Sequence, residues 1–242
     1  MEYVNDPRKN IHSIYTKEKM INSYAFSNIP AILKNDKTVC WTDFTDINKV
    51  TLDGGGNVIS VAPVKPALPV FTTNIGIVHW SDKGALLDGV SSNLTARFSP
   101  INTEPEFIIY YVMKQISVKP GTYNQFFENI PQHGQEPNTN RVYFWDGSHA
   151  IYGGYLPLNT DVIIQLACYT LSDGKSFIST NGVKTFASGP FLGGIPEYFL
   201  IGGTGNSYPS NIEVKELIIR TVRETDINES AIYNYLKAKY NI

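Results

Sequence analysis

From Ile212 to Val222 the chain reads Ile-Glu-Val-Lys-Glu-Leu-Ile-Ile-Arg-Thr-Val, a run rich in β-branched residues that belongs in a strand. Its alternation of apolar and polar side chains slips at Lys215-Glu216, and one extra residue of that kind is what a β-bulge introduces. Glu224-Thr225-Asp226 then opens a helix predicted over residues 225–240, with Thr225 as N-cap and the Asp226 carboxylate in the electropositive first turn. Ile232, Leu236 and Tyr240 recur at helical spacing as its buried stripe, widened by Ala231 and Tyr235, while Lys237 and Lys239 sit where the helix dipole is negative. The chain therefore ends as a strand closed by one helix.

Upstream, strand signals dominate. Glu106-Phe-Ile-Ile-Tyr-Tyr-Val-Met113 is apolar at successive positions, as a strand covered on both faces must be. Residues 161–171 read as another core strand, and residues 140–147 with 150–155 as a hairpin pair. Asn181-Gly182 between alternating runs is the sharpest local signal, because a type I′ turn needs two residues that tolerate positive φ. Gly54-Gly55-Gly56 is followed by neither a helix pattern nor a Lys-Ser/Thr pair, so it reads as a turn between strands and not a phosphate cradle.

These motifs, in this order, resemble the laminin-G-like domains of the concanavalin A-like lectin/glucanase superfamily. Glu216-Leu-Ile-Ile219 and Tyr235-Leu-Lys-Ala-Lys-Tyr-Asn-Ile242 are similar to the family's terminal strand and helix, with Asn228 and Asn241 where a capping Glu and a Gly are usual. Val50–Ser60, Gly84–Val90, Phe177–Phe186 and Tyr198–Gly203 resemble further segments of it. In the segment after Asp88 the family's acidic pair is replaced by Ser91-Ser92-Asn93-Leu94, which argues against a calcium site there. The resemblance implies an all-β chain, a two-sheet antiparallel jelly-roll sandwich over 41–242, closed by the helix 225–240. Residues 1–40, polar and slightly basic, then form an N-terminal extension or docking arm.

Composition narrows the function classes. Charged residues are 17% and aromatics 12%, which suits a β-sandwich better than a bundle or a disordered chain. A net charge of −2 without a Lys/Arg stripe gives no footprint for nucleic acid. No stretch approaches a membrane span, and the N-terminus has no apolar h-region, so no standard signal peptide is expected. Cys40 and Cys168 are far apart; Cys168, in an apolar run, suits a buried free thiol, and a pairing cannot be deduced from two cysteines. His12, His79, His133 and His149 fall in no ligand-spaced cluster, so neither a metal nor any other cofactor is expected.

Two features bear on chemistry. Glu224-x-Asp226-x-x-Glu229 is similar in spacing to the catalytic carboxylates of laminarinase-type glucanases, but it straddles a strand end and a helix start, where capping explains the same letters. With no other convergent titratable groups, the expectation is a protein that is not an enzyme. Trp145, Asp146, His149, Tyr152 and Tyr155 cluster at one hairpin, where aromatic faces and polar groups suit contact with a glycan or a partner, although Trp145 equally suits a core. Tyr123, Phe126, Phe127 and His133, read as a long loop, form a second candidate contact surface.

What the resemblance implies is a non-catalytic structural or adhesion protein of a bacteriophage virion, a capsid decoration or fibre component. Residues 1–40 would meet other virion proteins or further copies of the chain. The alternative is a carbohydrate-binding module at a bacterial surface or in the extracellular medium.

Overall fold

The computed structural model describes residues 29–98, 106–128, 132–169, 176–189, 195, 197–203 and 210–242. Among them, strands assemble into two antiparallel sheets. The eight-stranded sheet runs β15 (Val183–Phe186), β14 (Phe177–Thr180), β13 (Asp161–Cys168), β8 (Phe107–Ser117), β17 (Asn211–Arg220), β6 (Gly84–Asp88), β5 (Val78–Ser81), with β1 (Thr38–Asp43) beside the second half of β17. The nine-stranded sheet runs β12 (Ala150–Tyr155), β11 (Arg141–Trp145), β10 (Gln132–Gln135), β9 (Asn124–Glu128), β16 (Tyr198–Ile201), β7 (Asn93–Arg97), β4 (Phe71–Ile75), β3 (Val58–Val61), β2 (Val50–Leu52). One helix, α1 (Asp226–Tyr240), follows β17. The expected sandwich with a C-terminal helix is what the chain forms. No helix among the described residues is long and apolar enough to cross a membrane.

The eight-stranded sheet is covered on both faces, and this explains its sequence. Along β8, Phe107, Ile109, Tyr111 and Met113 enter the core between the sheets, while Ile108, Tyr110 and Val112 enter a second cluster with Ile232, Tyr235 and Leu236 of α1. Each such side chain removed from water is worth about 1.5–3 kcal/mol, so both layers contribute substantially. In β17 the predicted slip is present. Pairing with β8 shifts between Val214 and Glu216, which leaves Lys215 as the extra residue. Val214 and Leu217 thereby both reach the inter-sheet core, and Glu216 faces α1.

The helix begins and ends as its letters require. The Thr225 side chain accepts from the Asn228 amide, and Asn241 closes the helix at φ 55°, ψ 47°. The expected buried stripe changes at one position, since Ala231 is exposed and Glu229 is buried in the first turn. Asn181 and Gly182 take φ 48° and 84°, the type I′ pair that joins β14 to β15. Cys40 and Cys168 are buried and form no disulfide, and burial pushes each thiol up to about 12.

Of the extension expected over 1–40, residues 1–28 lie outside the described part. Leu33 is fully buried in the helix-side cluster, and β1 starts at Thr38 within the sheet.

Candidate functional site

The outer face of the nine-stranded sheet carries a groove of about 490 Å³ across β9, β10, β11 and β12. Two rows of cross-strand neighbours build its floor. In the first, Gln125 pairs with Gly134, Gly134 with Tyr143, and Tyr143 with Tyr152. In the second, Gln132 pairs with Trp145 and Trp145 with Ala150. Tyr143 and Trp145 are two apart on one strand and so share a face, whereas Val142 and Phe144 between and before them point into the core. Ala150, small beside Trp145, lines the groove, whereas Gly134 serves the backbone: a Cβ there would lie 2.3 Å from the Asn124 carbonyl oxygen on β9.

The walls combine aromatic faces with polar groups. Tyr152 is 36% exposed, Trp145 is half-buried, and Tyr123 stands edge-on to Tyr143 with ring centroids 5.3 Å apart. The Arg141 guanidinium lies over the Tyr152 ring, 4.8 Å from its centroid, which fixes that ring in place. Glu128 and Ser148 complete the rim. Gln125 is only 3% exposed, and its Oε1 has no hydrogen-bond partner.

The five residues singled out from sequence divide three ways. Trp145 and Tyr152 line the groove together. Asp146 and His149 shape the turn between β11 and β12: Asp146 Oδ1 accepts from the Ser148 and His149 amides at 2.8 and 2.6 Å, and Oδ2 lies 3.3 Å from His149 Nδ1. Tyr155, 71% exposed, stands at the far end of β12 and is not among the groove residues.

The second surface expected at residues 123–133 needs correction. Phe126, Phe127 and His133 lie on β9 and β10 and are buried in the sandwich, not displayed on a loop. Pairing of β9 with β10 shifts between His133 and Gly134, so Phe126 is the extra residue and both phenylalanines turn inward. Only Tyr123 of that group reaches the groove. Gln125 and Gln132 escaped sequence reasoning, because glutamine on a strand carries no signal until its neighbours across the sheet are known.

At the start of α1 the Glu224-x-Asp226-x-x-Glu229 carboxylates edge a second cavity of about 520 Å³. Glu224 accepts from Arg220 Nε, and Glu229 takes Lys184 Nζ at 2.7 Å and Gln165 Nε2 at 3.2 Å. The motif caps a helix and anchors it to the sheet. Among the described residues no group of acidic, His or Cys side chains is placed to hold a metal ion.

Comparison with solved structures finds the same architecture elsewhere. A mutant of Trypanosoma rangeli sialidase displaying trans-sialidase activity superposes with a TM-score of 0.62 at 12% identity, over 96% of this chain and 39% of its own. The binding domain of botulinum neurotoxin DC, solved in complex with SialylT, gives 0.57 at 11% identity over 83% of this chain and 52% of its own. The receptor binding domain of botulinum neurotoxin mosaic serotype C/D gives 0.59 at 7% identity over 83% and 51%.

The likeness is one of fold. This chain spans well under two thirds of each neighbour. No protein-family model matches it, and no curated protein matches it. The neighbours overturn one expectation: sialidases carry this fold, so the expectation that this protein is not an enzyme does not stand.

Proposed function

We propose that this chain is a carbohydrate-binding β-sandwich that holds a sugar in the groove on its nine-stranded sheet. One observation carries the reading: Trp145 and Tyr152 are displayed together in a concave site, among glutamines and a serine. Sugar rings present C–H faces that lie against aromatic rings and hydroxyls that pair with amides at their edges, so this mixture matches both sides of the ligand. Support also comes from the neighbours, one of them a toxin binding domain solved with SialylT. On the terminal strand–helix motif we place the chain among concanavalin A-like domains, at a bacterial surface or in the extracellular medium. The narrower expectation, a phage-particle component docked through residues 1–40, gains nothing from these neighbours.

The test is a glycan array probed with the full chain, followed by titration of each hit against Trp145→Ala. Loss of the indole face should weaken binding about tenfold, equivalent to about 1.4 kcal/mol, with the melting temperature little changed. Silence across the array would dispose of the reading.

A further inference from the structure

We propose that the groove reads a chain of linked sugars and not a single ring, one end of the ligand lying at Trp145 and the other at Tyr123; the proposal rests on the glycan-binding reading above. Strand register sets the length. Trp145 is level with Gln132 at the start of β10, and Tyr123 comes one residue before Asn124, which is level with Gln135 at the end of β10. Those two levels on β10 are roughly 10 Å apart at ~3.3 Å per residue, longer than one pyranose ring. Between the ends, Tyr143 forms the floor, two residues from Trp145 on β11, with the Tyr123 ring edge-on to it at 5.3 Å. The volume of about 490 Å³ likewise exceeds what one pyranose ring with its hydroxyls fills.

Aromatic surface is open at both ends. Tyr123 is 40% exposed and Tyr152 36%, and Trp145 is half-buried. The Arg141 guanidinium backs one face of Tyr152 and is not among the groove residues, so the other face of that ring is turned to the groove. The ends are not equivalent. Gln132, across the sheet from Trp145, and Ser148, in the turn after it, bring polar groups for sugar hydroxyls beside the indole. A first sugar is therefore held at Trp145 by stacking together with hydrogen bonds, while Tyr123 offers an aromatic face to a later unit. Linked units meet both ends for a single loss of translational freedom, so affinity rises until the ligand reaches Tyr123 and then levels off.

The experiment titrates the full chain with a soluble size series, from monosaccharide to tetrasaccharide, of the glycan that binds best on the array; weak members are measured by competition. The expected result is a gain of at least about tenfold between the monosaccharide and the trisaccharide, with little further gain beyond it. Tyr123→Ala should remove most of that gain and so lower the ratio of long-ligand to short-ligand affinity. Trp145→Ala should weaken every member by a similar factor and leave the ratio standing. A purely structural role for Tyr123 would not move the ratio. Equal affinity for the monosaccharide and the trisaccharide, or a ratio that Tyr123→Ala leaves unchanged, overturns this proposal while leaving glycan binding intact. No binding to any member defeats both readings.

Discussion

Glu216 on β17 and Lys239 on α1 meet at 2.6 Å beneath the helix, with the glutamate fully buried. Glu216 also accepts from Trp41 Nε1 at 2.8 Å, Tyr235 OH at 3.1 Å and Tyr240 OH at 2.8 Å, so neither carboxylate oxygen lacks a donor. Burial works against the Lys239 charge, but the Glu216 and Asp43 carboxylates more than offset it and raise its pKa. One carboxylate thus ties the helix, β1 and β17 together.

Removing one member of this pair should cost far more than removing both. Lys239→Met leaves a buried carboxylate without its cation, and a loss of about 3–5 kcal/mol is expected. Lys239→Met combined with Glu216→Gln should recover a large part of that loss. Urea unfolding of the single and double variants measures the difference, and strictly additive losses would show that the two charges are not coupled.

Arg220 does a comparable job for the segment before β1. Its side chain is 1% exposed, and Nη1 donates to the Ile32 carbonyl at 2.7 Å and to Thr38 Oγ1 at 2.6 Å, while Nε pairs with Glu224. Lysine cannot reproduce that fork. Arg220→Lys should therefore release residues 29–37 to proteases while β8 and β13 stay protected, as mass spectrometry of limited digests would reveal. An unchanged digest would mean that Leu33 packing alone holds the segment.

Backbone contact at the bulge makes Gly84 irreplaceable. It sits at φ +140°, and a Cβ there would lie 2.3 Å from the Val214 carbonyl oxygen. Gly84→Ala should cost about 3 kcal/mol or more, by forcing β6 away from β17. At Gly54 a Cβ meets nothing within 4 Å, so Gly54→Ala should stay within about 0.5 kcal/mol. Paired denaturation curves test the contrast.

His133 should make the protein acid-sensitive. It is fully buried beside Tyr111, Phe126 and Phe127; Nδ1 is bonded to the Tyr143 carbonyl and Nε2 has no partner. Burial lowers its pKa from 6.5 to about 3, against the opposing pull of that carbonyl. The unfolded chain takes up the proton first, so the stability held above about pH 6.5 drains away as pH falls toward 3. Within that window the slope approaches about 1.4 kcal/mol per pH unit. His133→Asn should flatten the dependence of the urea midpoint between pH 7 and 5; an unaltered slope would assign the acid sensitivity to other groups.

Much of this architecture is written locally. Doubly apolar β8, the Asn181-Gly182 turn, the Thr225 cap and the slip at Lys215 each follow from short-range sterics or side-chain alternation, and each is found where the letters place it. Even the spaced Glu216, Tyr235, Lys239 and Tyr240 that carried the family resemblance prove to be the partners of a single buried cluster. Trp145 and Tyr152 were legible because aromatic residues on a hairpin are conspicuous.

The groove itself was decided by tertiary structure. Gln125, Gly134, Tyr143 and Tyr152 lie in one row only because β9, β10, β11 and β12 pair in a particular register. A shift of one residue would turn each side chain to the opposite face. The same register buries Phe126, Phe127 and His133, which the linear sequence displayed as a loop. Alternation along a strand tells which residues share a face; hydrogen bonding between strands decides which of them become neighbours.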